Sequence, residues 1–255
     1  MVACLGGGGA YGIGLHFGVA QALQEFGLPL TGAPVLGTSG GAWAGAALEL
    51  GVELGEVMAP WARQPERRFG HRSVDTVRAV FTDAPAPALF GVAARLSGRR
   101  ALLSAERFGV IDVVAASASP PPFAVPHEIE HHRYIDAGLL SICSVDLAPA
   151  ADLLVVVAPI AGPYMGAMGR LWDRQTRRNI RQWRREHGGE VLYLRPNREL
   201  AAAAGSGVSS LFDPQRAQPA GAAAQTLTTR RLEVFERRSP DTVALVRQRM
   251  RSPGA

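Results

Sequence analysis

The chain has 255 residues, with 27 basic side chains against 22 acidic ones, a net charge of +5 and 47% apolar residues. That balance excludes a disordered or collagen-like chain, and two cysteines, Cys4 and Cys143, are too few for a disulfide-stapled scaffold. No apolar run reaches the ~18 residues a membrane helix needs. The N-terminus, Met1-Val2-Ala3-Cys4-Leu5, has neither the charged segment nor the cleavage site of a secretory signal. The expectation is therefore a cytoplasmic α/β protein with reduced thiols. All 27 basic residues are Arg, as a GC-rich genome would produce, yet the positive balance still suits anionic partners.

Val2–Leu5 reads as a short strand running into Gly6-Gly7-Gly8-Gly9. From Ala10 to Phe26 the pattern is helical, because Leu15, Val19, Leu23 and Phe26 recur at spacings of three and four. Val35–Gly37 is a second strand, followed by Thr38-Ser39-Gly40-Gly41 and a helix over Ala42–Leu50. Two strand–turn–helix units so close together predict a three-layer α/β/α sandwich with a mostly parallel central sheet. Residues 51–110 contain helical pieces at Glu53–Arg63 and Ser73–Phe81, interrupted by Pro60, Pro65, Pro85 and Pro87, and read as a helical cap insertion. Glu106–Ala116 reads as a helix, Glu128–Ile135 as a hairpin or an edge strand, and Leu153–Ala158 and Val191–Leu194 as buried parallel strands. The expected division is a main domain over 1–200 and a helical C-terminal extension over 201–255 packed on it.

Three motifs carry chemistry. Gly37-Thr38-Ser39-Gly40-Gly41 fits G-x-S-x-G between a strand and a helix, where a serine stands on a tight turn with its hydroxyl exposed. Gly6–Gly12 can present bare backbone N–H groups to an anion, as an oxyanion hole or as a dinucleotide loop. A dinucleotide site needs an acid at the end of the second strand, and that strand ends in Gly37-Thr38-Ser39. Tyr134-Ile135-Asp136-Ala137-Gly138 puts an acid at a strand end, where it can serve as a base for a serine.

In this order the three motifs resemble those of the patatin-like phospholipases. Gly12–Val19 with His16, Ala115-Ala116-Ser117-Ala118-Ser119-Pro120 with Phe123, and Val145-Asp146-Leu147-Ala148 extend the likeness, which covers roughly residues 2–160. The resemblance implies a serine lipid acyl hydrolase with a Ser–Asp dyad and no cofactor. Ser39 would be the nucleophile and Asp136 the base. The N–H groups of Gly7, Gly8, Gly9 and Gly40 would form the oxyanion hole, supported by Tyr11, Gly12, Gly37, Gly41 and Gly138. The substrate would be a lipid or other acyl ester, and an acyltransferase is a close variant. This sequence departs from the family at Tyr11, where Arg or Lys is usual, and at Ser141 and Ser144, where Asn and Pro are common. Those departures keep open a weak or inactive lipid-binding protein on the same fold.

Of the six histidines, His127, His131 and His132 read as structural and His16 as a packing or capping residue. No C-x-x-C or H-E-x-x-H spacing indicates a metal. Residues 170–185 hold seven arginines, with Trp172, Thr176, Ile180 and Trp183 at helical spacing. Two readings of this amphipathic helix stand. One is a solvated face opposite a core stripe; the other is a peripheral contact with anionic membrane, with tryptophan at its boundary. No nucleic-acid motif accompanies the charge.

Overall fold

The computed structural model describes residues 1–63, 70–205 and 207–251. In chain order the regular elements are β1 (Val2–Leu5), α1 (Gly9–Glu25), β2 (Val35–Gly37), α2 (Gly40–Leu50), α3 (Leu54–Arg63), α4 (Ser73–Arg78), β3 (Leu89–Arg95) and β4 (Arg100–Ser104). They continue with α5 (Ala105–Phe108), α6 (Val110–Ser117), β5 (His127–Ile129), β6 (His132–Asp136), β7 (Leu153–Val157) and α7 (Gly166–His187). The chain then adds β8 (Glu190–Leu194), α8 (Arg198–Ala204), α9 (Ala217–Arg238) and α10 (Pro240–Arg251).

All eight strands belong to one sheet, in the order β5-β6-β3-β2-β1-β7-β8, with β4 paired to β3. The run β3-β2-β1-β7-β8 is parallel throughout. β1 and β7 are buried along their whole length, which is why they read as unbroken apolar runs rather than alternating ones. One buried cluster joins β1, β7 and β8 to α1, α7, α9 and α10. A second joins β3 to α2, α3, α4 and α6. The architecture is the expected α/β sandwich.

The expectation of a purely helical insertion over 51–110 is corrected. α3 and α4 lie there, but so do β3, parallel to β2, and β4. Pro65 lies outside the described residues. The β3 sequence, Leu-Phe-Gly-Val-Ala-Ala-Arg, contains a glycine and two alanines, poor strand formers by propensity. Packing explains them: a Cβ on Gly91 would lie 2.5 Å from Val113 of α6. The helix expected over Glu106–Ala116 is divided into α5 and α6 at Gly109, whose φ is 80°.

Two antiparallel pairings of β3 position the site. β4 covers Phe90 to Ala94 of β3 on one edge. The other edge must therefore carry both β2, opposite Leu89 to Gly91, and β6, opposite Ala93 to Arg95. β2 ends at Gly37, paired with Gly91, and β6 ends at Asp136, paired with Ala93. The two strands run toward each other along one edge and stop two β3 residues apart, roughly 7 Å.

The C-terminal helices belong to the same body. α1 and α9 cross so closely that a Cβ on Gly18 would fall 1.9 Å from the Gly221 carbonyl oxygen, and one on Gly14 equally near that of Ala217. On α7, Thr176, Ile180 and Trp183 are buried and form the core-facing stripe. Gly18→Val is expected to lower stability by at least about 3 kcal/mol, since backbone rather than a flexible side chain must move. A Tm close to wild type would contradict this crossing.

Candidate active site

Ser39 stands between β2 and α2 with φ 54° and ψ −121°, a backbone conformation that side-chain-bearing residues rarely adopt. Packing around the turn imposes it. A Cβ on Gly37 would lie 2.4 Å from the Ala42 Cα, and one on Gly41 would lie 2.0 Å from the Leu5 oxygen. The turn is held by bonds from the Thr38 N–H to Leu5 (2.9 Å) and from the Gly41 N–H to Thr38 (2.8 Å). The Ser39 N–H donates to Ser117 Oγ at 2.9 Å, and that hydroxyl donates onward to the Val92 carbonyl at 2.8 Å. Ser117, at the end of α6, thus ties the serine turn to β3.

Asp136 reaches the same place from β6. Its N–H donates to the Ser119 carbonyl at 3.1 Å, and its Oδ1 accepts from the Gly138 N–H at 2.7 Å. Only 5% of the residue is exposed. Burial pushes its carboxyl up from 3.8 to about 6, against the opposing pull of the Ser39 side chain and the Gly138 N–H. The structure therefore brings Ser39 and Asp136, 97 positions apart in the chain, into one interaction.

The glycine loop faces this pair. The positions a Cβ would occupy on Gly40 lie 2.8 Å from the Gly9 oxygen and 3.2 Å from its nitrogen, so the starts of α1 and α2 are in contact. Among the described residues the N–H groups of Gly8, Gly9 and Gly40 donate to no protein group. Gly7 is a correction to the expected oxyanion set: its N–H donates to the Ile142 carbonyl at 3.0 Å, which fixes the loop but removes that donor. Gly12 closes the first turn of α1, its N–H on the Gly8 carbonyl at 2.9 Å.

His16 anchors the loop from below. It is fully buried, and its Nε2 lies 2.7 Å from the Gly6 carbonyl oxygen, so Nε2 carries the proton and donates it. Burial holds the imidazole down at about 4 from 6.5, neutral at ordinary pH. The ring is a packing and capping residue, as expected from its place on the first helix.

Tyr11 does not enter the site. Its hydroxyl donates to the Leu200 carbonyl at 3.0 Å, pinning α8 to α1, and the ring is fully buried. The departure at this position is thus a packing device, its hydroxyl used by α8. Ser141 and Ser144 form a self-contained turn, the Ser144 N–H bonding Ser141 Oγ at 3.1 Å. His127 lies 2.9 Å from Asp112, a surface pairing away from Ser39. Cys4 and Cys143 are buried, and burial pushes both thiols up, so neither competes as a nucleophile.

Ser39 and Asp136 open onto a cleft of about 500 Å³ with a predominantly apolar lining. Its lining includes Ile142, Ile160 and Trp172 and, from the C-terminal part, Ala204, Leu211 and Phe212. Ser39 also lines a much smaller pocket together with Trp43, Trp61, Ser73 and Thr76. Among the described residues no group of three or more His, Cys, Asp or Glu could hold a metal ion. No helix among them is long and apolar enough to cross a membrane. Searches with protein-family models and against curated proteins give no match for this chain.

The burial of Asp136 has a stability consequence. Between pH about 4 and about 6 the unfolded chain has lost this proton and the folded chain still holds it. Folding stability therefore falls by about 3 kcal/mol across that window and stays lost above it. His16 acts in the opposite sense, raising stability between about 4 and about 6.5, so the Asp136 effect is read as a difference between variants. Asp136→Asn, which cannot ionise and keeps an acceptor for Gly138, is expected to be about 2–3 kcal/mol more stable than wild type at pH 7. The two proteins should be nearly equal near pH 4. Denaturant titration at both pH values checks this, and equal stability at both would contradict the burial of a charged carboxylate.

Proposed function

We propose that the protein is a serine ester hydrolase acting on acyl esters of lipids, of the patatin-like type that its motifs resemble. The observation that carries this reading is a serine on a strained turn, facing a buried carboxyl raised to about 6, at the edge of an apolar cleft. An Asp near its ordinary pKa is a poor base for a hydroxyl; raised toward 6 it remains ionised at neutral pH and binds a proton more readily.

The steps follow from the residues. Asp136 takes the Ser39 proton as Oγ attacks the ester carbonyl. The resulting oxyanion is met by the N–H groups of Gly8, Gly9 and Gly40, at the N-terminus of α2, whose dipole favours negative charge. As the carbon–oxygen bond breaks, protonated Asp136 returns the proton to the departing alcohol, leaving an acyl ester on Ser39. Asp136 then deprotonates a water that attacks this ester, and the proton passes back to Ser39 Oγ as the acid leaves. The apolar cleft accommodates the acyl chain.

Soluble p-nitrophenyl esters test the reading. Ser39→Ala should fall to background, and Asp136→Asn should lose about 10²–10⁴-fold in kcat while remaining folded. Wild-type kcat should rise with pH through about 6 and level off above it, because the base must be ionised. Each added methylene should raise kcat/KM about fourfold until the cleft is full, from about 0.8 kcal/mol per buried CH₂. Undiminished turnover in folded Ser39→Ala would refute the assignment.

His16→Phe should retain the fold and lower kcat on the same esters by about tenfold or more, with KM little changed, because the donor to Gly6 that holds the oxyanion loop is gone. Unchanged kcat would show that the loop is fixed without it.

A further inference from the structure

The mouth of the cleft is ringed by large apolar side chains that point outward. Leu139, Tyr164, Met168 and Val208 all line the cleft, and each is more than half exposed. The ring continues onto α7 through Leu140 and Leu171, which line a shallow groove shared with Arg174, Arg178 and Arg181. At 100° per residue, Leu171, Arg174, Arg178 and Arg181 lie on one side of α7, turned away from buried Ile180 and Trp183, with Met168 at the edge of that side. Of the two tryptophans, Trp183 is core, whereas half-buried Trp172 lines both the cleft and this groove and so stands at the boundary between them. A rigid helix therefore presents apolar residues nearest the cleft mouth and guanidinium groups beside them.

The arginines differ in how they are used. Arg177 pairs with Asp173 and Arg184 with Glu190. Arg174, Arg178 and Arg181 are exposed, and none forms an ion pair among the described residues. Three exposed cations outside any ion pair, of which Arg178 is near enough to Asp146 to help lower its carboxyl, stand beside an apolar ring and define a surface with two requirements, anionic groups at one level and an apolar medium next to them.

We propose that this face docks on an anionic phospholipid bilayer, with Arg174, Arg178 and Arg181 on the phosphates and Leu140, Leu171 and the cleft rim dipping into the acyl boundary. Charge complementarity and continuity with the cleft select this occupant. A bilayer supplies both layers at the spacing of a single helix face, and it places lipid at the opening through which an acyl chain must enter. A protein partner covering the same ring would close the cleft. The role of the docked lipid as substrate rests on the function proposed above; the docking itself does not.

Binding is therefore measured on the Ser39→Ala protein, which cannot turn lipid over, by co-sedimentation with two vesicle types. One is phosphatidylcholine alone; the other is phosphatidylcholine mixed with phosphatidylglycerol. The protein should bind the mixed vesicles, bind the neutral ones far more weakly, and be released by high salt. Replacing Arg174, Arg178 and Arg181 by Gln should weaken binding to mixed vesicles about 100-fold, at about 1 kcal/mol for each arginine. Leu140→Ser with Leu171→Ser should weaken it as well while leaving heparin binding unchanged. None of these five residues lines the Ser39 cleft, so the same substitutions in the Ser39-containing protein should leave hydrolysis of a soluble ester unaltered. Equal binding to both vesicle types, or arginine variants that fold and bind like the parent, would overturn the proposal. Dependence on the arginines but not the leucines, with heparin competing fully, would show a general polyanion site and overturn it too. Vesicle binding without soluble-ester turnover in wild type would uphold the docking face and refute the hydrolase; turnover without vesicle binding would do the reverse.

Discussion

The site depends on where two strands stop. With β4 filling one edge of β3, β2 and β6 have only the other edge, and they occupy it end to end. Had β2 continued two residues further as a strand, β6 could not pair at Ala93 and Asp136 would have no place beside Ser39. β2 stops because the chain must turn sharply into α2, and that turn puts Ser39 at positive φ. The strain at Ser39 and the position of Asp136 are thus two results of one constraint. Ser117 and Ser119 fill the gap between the strand ends, one holding the Ser39 N–H and the other the Asp136 N–H.

The same economy shapes the electrostatics. The Asp136 carboxyl is raised because the strand end that carries it is buried, and the Ser39 side chain and the Gly138 N–H limit how far it rises. The glycine loop is held by His16 on the Gly6 carbonyl and by the Ile142 carbonyl on the Gly7 N–H. With Gly6 and Gly7 fixed, the donors of Gly8 and Gly9 are left facing outward, next to the start of α2. For the hydrolase proposed above, a donor array fixed in this way would need little reorganisation as charge develops. The energetic cost is borne by the fold, in a buried carboxylate and a strained serine.

Much of this was legible in the sequence. β2 at Val35–Gly37, the strands at β7 and β8, the hairpin that ends in Asp136 and the glycine turn around Ser39 follow from apolar runs and turn residues. What was not legible has physical causes. β3 hides because close packing against α6 demands Gly91 and alanines, which weaken its propensity signal. The loss of Gly7 as an oxyanion donor depends on a carbonyl 135 positions away, which local pattern cannot register. Tyr11 stands at a motif position yet serves α8, again through a distant carbonyl. The contribution of Leu211 and Phe212 to the cleft follows from the α1–α9 crossing. Its trace in the sequence is the small-residue spacing Gly14–Gly18 matched by Ala217–Gly221–Ala224, visible only once the two helices are paired.

The most direct test of the central claim is the pH dependence of covalent labelling at Ser39 by a fluorophosphonate, with the modified residue located by peptide mass spectrometry. The account predicts a single adduct on Ser39 whose rate of formation rises through about pH 6 and then levels, and a slow rate in Asp136→Asn that lacks this inflection. Labelling elsewhere, no labelling of the folded protein, or the same pH profile in Asp136→Asn as in wild type would contradict a serine activated by the buried carboxylate.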